Sequence, residues 1–137
     1  MIALLLAMML AVHPSVPNLT ESGVPVKGVA SWYNATTHPD GVQSTWYTRA
    51  GFKFYAAVGS FTWGDSPYSL KVCRADDKSR CVIVSVVDRC SRCRADLKKP
   101  WTARSRSIDL SPWAFSSLRG LHLGVMRVII EEIQPGT

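Results

Sequence analysis

The stretch YSLKVCRADDKSRCVIVSVVD, residues 68–88, decides the fold. Two runs, YSLKVCR (68–74) and RCVIVSVVD (80–88), flank the polar segment ADDKS (75–79). The second run is rich in β-branched residues, and the break between the two is short and turn-like. The pattern predicts a hairpin of two antiparallel strands. Similar runs surround it: VKGVASWY (26–33), FKFYAAV (52–58) after Gly51, SIDL (107–110) and GVMRVIIEEI (124–133). One helix is signalled. Ser111 is placed to cap it and Pro112 to open it, because proline lacks the N–H that would be orphaned there. The helix runs through WAFSSLR and is expected to stop at Gly120. Many short strands, one short helix and no strand–helix alternation imply a mainly β fold, a small barrel or sandwich.

The chain has 137 residues, enough for one domain and too few for two ordinary ones. With 47% hydrophobic and 19% charged residues, it is not a disordered polymer. The N-terminal run from Ile2 to Val12 is unbroken and apolar. It is too short for a spanning helix, which needs about 20 residues, and matches the core of a secretory signal. HPSVPNLTESGVP (13–25) reads as a linker. The expected organisation is a signal-like leader and linker over residues 1–20 and one domain over 21–137. The expected location is secreted or in the cell envelope, with no stable membrane span.

Net charge is +6, and the segment from Arg74 to Arg106 carries the whole excess, with ten of the sixteen Lys/Arg and four of the ten Asp/Glu. A local basic excess suits an anionic partner such as an acidic wall polymer, acidic lipid or nucleic acid. It also suits a plain solvated loop.

Four cysteines lie at Cys73, Cys81, Cys90 and Cys93. A zinc ribbon uses two close pairs, and only Cys90 and Cys93 form one. A redox Cys-x-x-Cys opens a helix that lowers the thiol pKa, whereas Cys90 follows a strand. Structural disulfides fit best: Cys73 with Cys81 across the hairpin, and Cys90 with Cys93 as a clip after Asp88. An export signal and an even cysteine count agree with that choice. Zinc and redox use are the weaker alternatives.

Asp88 ends the apolar run CVIVSVV. Burial there disfavours ionisation, while Arg89 and Arg92 favour it. Asp109, in RSIDLSPWAF, is a second acid, just before the helix; the plain role for such an Asp is to bond local backbone. Two acids flanking a groove are the usual equipment for cleaving a glycosidic bond. Aromatic side chains can stack on sugar faces or fill a core. Trp32 and Trp113 are assigned to the core. Trp46, Trp63 and Trp101, in loop-like surroundings, are candidates for a groove, with Tyr33 and Arg89. His13, His38 and His122 have no partner at metal-ligand spacing. The sequence contains no phosphate-binding loop, nucleophile elbow or dinucleotide fingerprint. Neither metal nor cofactor is expected.

Five segments together resemble a known group: GVASWY (28–33), KFYAAV (53–58), VVDRC (86–90), IDLSPWAF (108–115) and GVMRVIIE (124–131). Their order over residues 26–133 resembles the double-psi β-barrel of the rare lipoprotein A-like (RlpA-like) and expansin-like proteins. The resemblance implies a six-stranded barrel with one short helix and a carbohydrate groove. Members of the first kind act on peptidoglycan as lytic transglycosylases; those of the second loosen wall polymers without detectable hydrolysis. By position, Asp88 matches the acid of the first kind and Asp109 the acid of the expansin-like Asp-Leu-Ser motif. The chain departs twice. Ala56-Ala57-Val58 stands where transglycosylase-type members carry Ala-Ala-His. Cys90-Ser91 replaces a Gly-Pro after the Asp-Arg pair, so a disulfide clip would take over its bracing role.

The resemblance implies a peptidoglycan-acting wall protein, a lytic transglycosylase with Asp88 as single general acid. The alternative is a non-catalytic, expansin-like module that binds wall polysaccharide. The expected partner is peptidoglycan or another wall polysaccharide, met by a monomer. A nucleic-acid-binding barrel is a third and weaker possibility, not expected here.

Overall fold

The computed structural model describes residues 25–34, 51–62, 64–93 and 106–133. Six strands and a helix follow in chain order: β1 (Val26–Trp32), β2 (Tyr55–Val58), β3 (Tyr68–Arg74), β4 (Cys81–Arg89), β5 (Arg106–Leu110), α1 (Pro112–Leu118) and β6 (Val125–Glu132). A short 3-10 turn, Leu121–Leu123, precedes β6. The strands close into a barrel in the order β1-β5-β2-β4-β3-β6. The pairs β1/β5 and β2/β4 are parallel, and the other four are antiparallel. Exchanging the first three strands for the last three leaves this order unchanged, so the topology carries an internal two-fold.

Alternation explains the barrel. Successive strand residues face opposite sides of a sheet. Leu70 and Val72 of β3, Val84 and Val86 of β4, Ile108 and Leu110 of β5 and Val128 and Ile130 of β6 fill the interior. The helix closes one end, with Ala114, Phe115 and Leu118 in the same core. Its start follows the sequence signal: the Ser111 hydroxyl accepts from the Ala114 N–H at 3.2 Å, and Pro112 opens the first turn. Its end falls one residue short of the expected stop, with Arg119 as the cap and Gly120 just beyond it. Arg119 leaves the helix in an extended conformation, and Gly120 has an ordinary negative φ.

The strand expected over 52–58 is shortened to Tyr55–Val58. The Lys53 carbonyl accepts from the Ser111 hydroxyl at 2.6 Å, which ties this segment to the helix cap. Phe52 and Phe54 remain exposed.

Cys73 and Cys81 are direct register partners on β3 and β4 and form a disulfide. Cys90 and Cys93 form the second. The pairing takes up the four thiols that a zinc site would have needed. Replacing both Cys73 and Cys81 by alanine is expected to cost about 2–3 kcal/mol, the loop-closure entropy of a short ring. Urea denaturation of parent and variant checks this. An unchanged midpoint would mean that the hairpin ladder alone holds the two strands. No helix among the described residues is long and apolar enough to cross a membrane.

Candidate functional site

The register places four residues side by side on the outer face of the barrel. Ser31 of β1 pairs with Asp109 of β5, Asp109 with Ala57 of β2, and Ala57 with Asp88 of β4. With strands about 4.8 Å apart, the two acids are separated along the sheet by about 10 Å. Ala57, the small residue between them, forms the floor.

A β-bulge brings Asp88 to this face. Val82, Val84 and Val86 pack inward, so strict alternation would aim Asp88 inward too. The register slips between Ala56 and Ala57, leaving Val87 without its own partner. Val87 then packs outside with Tyr33, Tyr55 and Ala57, and Asp88 follows it. Asp88 is 2% exposed. The Tyr33 hydroxyl donates to its Oδ2 at 3.3 Å, and the Arg89 N–H donates to its Oδ1 at 2.9 Å. Tyr33 thereby reaches from the end of β1 across to β4.

Asp109 is half-buried. The Ser31 hydroxyl donates to its Oδ1 at 3.0 Å, which orients the carboxylate. A matching irregularity lies on β5, where Ser107 is skipped in the pairing with β1. The Ser107 hydroxyl instead accepts from the Val29 N–H at 3.3 Å. Gly28 makes room for it; a Cβ there would lie 2.2 Å from the Ser107 oxygen.

The clip after Asp88 is seated firmly. The Cys90 N–H donates to the Val58 carbonyl, and the Cys93 N–H donates to the Cys90 carbonyl, both at 3.0 Å. The loop crosses directly over Gly59, where a Cβ would meet the Cys93 carbonyl oxygen at 2.3 Å. Backbone cannot retreat as the tip of a side chain can. Gly59→Ala is therefore expected to push the clip away and destabilise the chain by about 1–3 kcal/mol, the usual cost of overpacking. Chemical denaturation, together with NMR shifts of the Asp88–Cys93 amides, tests this. Parental stability with unmoved amides would contradict it.

The sequence candidates divide as follows. Asp88, Asp109 and Tyr33 come together on one face. Arg89 is exposed at the end of β4, next to Asp88. Trp46, Trp63 and Trp101 lie outside the described residues, as do His38 and the leader. Trp32 is partly buried against the barrel core, and its indole N–H donates to the Leu121 carbonyl. Trp113 is not in that core. It packs outside, edge-on to Tyr55 at 6.3 Å, and Tyr55 in turn stands edge-on to Tyr33 at 5.9 Å. Helix position explains it: Ala114 and Phe115 take the core-facing side, which leaves Trp113 on the flank. Val58 is fully buried inside the barrel, so no polar group at this position reaches the outer row.

Sequence reasoning missed Ser31 and Tyr55. Ser31 carried a usable signal, a lone hydroxyl alternating with apolar neighbours on β1. Tyr55 had none, because its role depends on the packing of β2 against the helix. Among the described residues, no three His, Cys, Asp or Glu side chains gather as a metal site would require.

No family model matches the chain, and no curated protein matches it significantly. Solved structures do. The chain superposes on a crystal structure of apo Clavibacter michiganensis expansin with a TM-score of 0.53 at 18% identity, covering 82% of this chain and 52% of that one. An aspartate-to-asparagine variant of the same expansin, crystallised in complex with cellohexaose, matches with a TM-score of 0.53 at 17% identity, with the same coverage. The chain thus spans about half the length of the structures it matches. The shared fold is the double-psi β-barrel that the sequence resemblance implied.

Proposed function

We propose that the protein binds a cell-wall polysaccharide as a non-catalytic, expansin-like module, with the half-buried Asp109 as the contact residue of a face that the buried Ser31, Ala57 and Asp88 support. The observation that carries this reading is the half-buried Asp109, held by Ser31 on the same face as Asp88. That face belongs to a barrel whose fold is shared with a protein crystallised with cellohexaose. A carboxylate accepts strongly from sugar hydroxyls, because charge-assisted hydrogen bonds exceed neutral ones. Tyr33 and Tyr55 are buried and build the floor of the face; they are not stacking platforms. Two disulfides suit an oxidising compartment outside the cytoplasm.

A second reading is cleavage, favoured by the two acids on either side of Ala57. Asp88 would protonate the leaving glycosidic oxygen as its bond to the anomeric carbon breaks, and the 6-hydroxyl of the sugar would close on that carbon and return its proton to the Asp88 carboxylate, giving an anhydro end. Two observations weigh against it. Both oxygens of Asp88 already accept hydrogen bonds, from the Tyr33 hydroxyl and the Arg89 backbone N–H. The family's histidine position is the core residue Val58.

The full chain, beside Asp88→Asn, should be incubated with purified peptidoglycan glycans and with cellohexaose, with binding measured by calorimetry and products by mass spectrometry. Binding without products supports the module. Anhydro-sugar ends from the parent and none from the variant would establish the lyase instead. Neither binding nor products on either polymer would remove the polysaccharide reading.

A further inference from the structure

Around the barrel from the acid row, beyond β1, lies an open pocket of about 680 Å³ that the polysaccharide reading does not use. Its charged lining comes from three separate elements. Arg74 and Asp76 stand at the end of β3 and in the turn after it, Arg119 follows α1, and Arg127 lies on β6. Val29, Val125 and Met126 supply apolar wall. Two guanidinium groups, those of Arg74 and Arg119, therefore face one carboxylate, and Arg127 lines the same pocket.

The cluster is organised. Arg74 holds Asp76 through two hydrogen bonds, Nε to Oδ1 and Nη2 to Oδ2, both at 2.9 Å. Arg119 donates from Nη2 to the same Oδ2 at 2.7 Å. The paired Arg74 guanidinium holds the Asp76 carboxyl down at about 2, well below the usual range. Asp76 thus stays ionised at neutral pH and fixes two guanidinium planes at the pocket rim. Arg74 is mostly buried, with 19% of its side chain exposed. A guanidinium has five N–H donors, and a single carboxylate cannot take up those of two.

We infer that this pocket is an oxyanion site, formed by Arg74, Arg119 and Arg127, that takes a phosphate or carboxylate group carried by an acidic polysaccharide. Planar, preset guanidinium forks suit the paired oxygens of such groups, which a lysine point charge would not match. The apolar wall suits the body of a sugar ring beside its charge. Position links the pocket to the acid row: Val125 is the register partner of Ser31, whose hydroxyl holds Asp109. A glycan lying along the row would meet the pocket one strand further on. The choice of polymer rests on the polysaccharide reading; the anion site does not.

The test is NMR titration of the full chain, following the arginine Nε–H signals. Inorganic phosphate, an oligogalacturonate and a neutral cello-oligosaccharide of equal length are the probes. Arg119→Gln and Arg127→Gln are the variants, chosen because Arg119 is half-buried and Arg127 exposed, so that folding survives. Phosphate and oligogalacturonate are expected to move the Arg74, Arg119 and Arg127 signals. Either variant should weaken the acidic oligomer about tenfold, as loss of one charge-assisted contact would, and leave the neutral one unchanged. Binding should fall with added salt. Phosphate shifts without oligogalacturonate binding would assign the site to phosphate. If phosphate moves the arginines and no oligosaccharide binds, the anion site stands and the polysaccharide reading falls. If acidic and neutral oligomers bind equally, no arginine signal moves and the variants match the parent, the inference is overturned while the polysaccharide reading survives.

Discussion

Phe115→Ala is expected to destabilise the protein by about 3–5 kcal/mol, the range for deleting a buried phenylalanine and leaving a cavity. A small domain has only about 5–15 kcal/mol to lose, so the variant should sit near the edge of folding. The reason is architectural. A barrel of six short strands has an open end, and α1 closes it with Phe115, which is fully buried among residues of β1 to β6. The surrounding strands are tied into a closed ring and cannot collapse far into the void. Trp113→Ala is the control: it removes a larger side chain that packs outside the barrel, partly exposed, and should cost clearly less. Urea denaturation followed by circular dichroism measures both. If the two variants were equally destabilised, the closing role assigned to Phe115 would be wrong.

Asp109→Asn is expected to weaken polysaccharide binding about ten- to a hundredfold, the worth of a hydrogen bond to a charged acceptor, while leaving the fold intact. The substitution keeps shape, and the amide oxygen can still accept from Ser31. What it removes is charge on a half-buried face. Ser31→Ala should act in the same direction but more weakly, since it frees the carboxylate to rotate without discharging it. Calorimetry with cellohexaose or soluble wall glycan reads the affinity, and thermal melting reads the fold. Unchanged affinity in a normally folded Asp109→Asn protein would place the binding face elsewhere on the barrel.

The hairpin at 68–88 was legible because its signal is local: two strand-like runs on either side of a short polar turn. Its cysteines were legible for the same reason, since a strand-end pair across a short turn has few partners to choose from. The helix start could be read from Ser111 and Pro112, whose side chains act on their own backbone. Its end was legible to within one residue; the cap at Arg119, whose side chain reaches Asp76 of the β3–β4 turn, was set by tertiary packing. The length of β2 failed for a similar cause: Lys53 is drawn to Ser111, 58 residues away.

By itself the sequence determined a mainly β fold with one capped helix, favoured two disulfides, and picked out Asp88 and Asp109. These follow from short-range rules of alternation, capping and spacing. Only the tertiary structure decided how the two acids are placed relative to each other. Alternation along β4 would have sent Asp88 into the barrel, and the bulge at Val87 turned it outward. Barrel closure then set Asp88 and Asp109 on either side of Ala57 and put Val58 in the core. It also gathered three arginines from separate elements around one pocket. A register shift of one residue reverses which face a side chain occupies, and that shift is fixed by partners far along the chain.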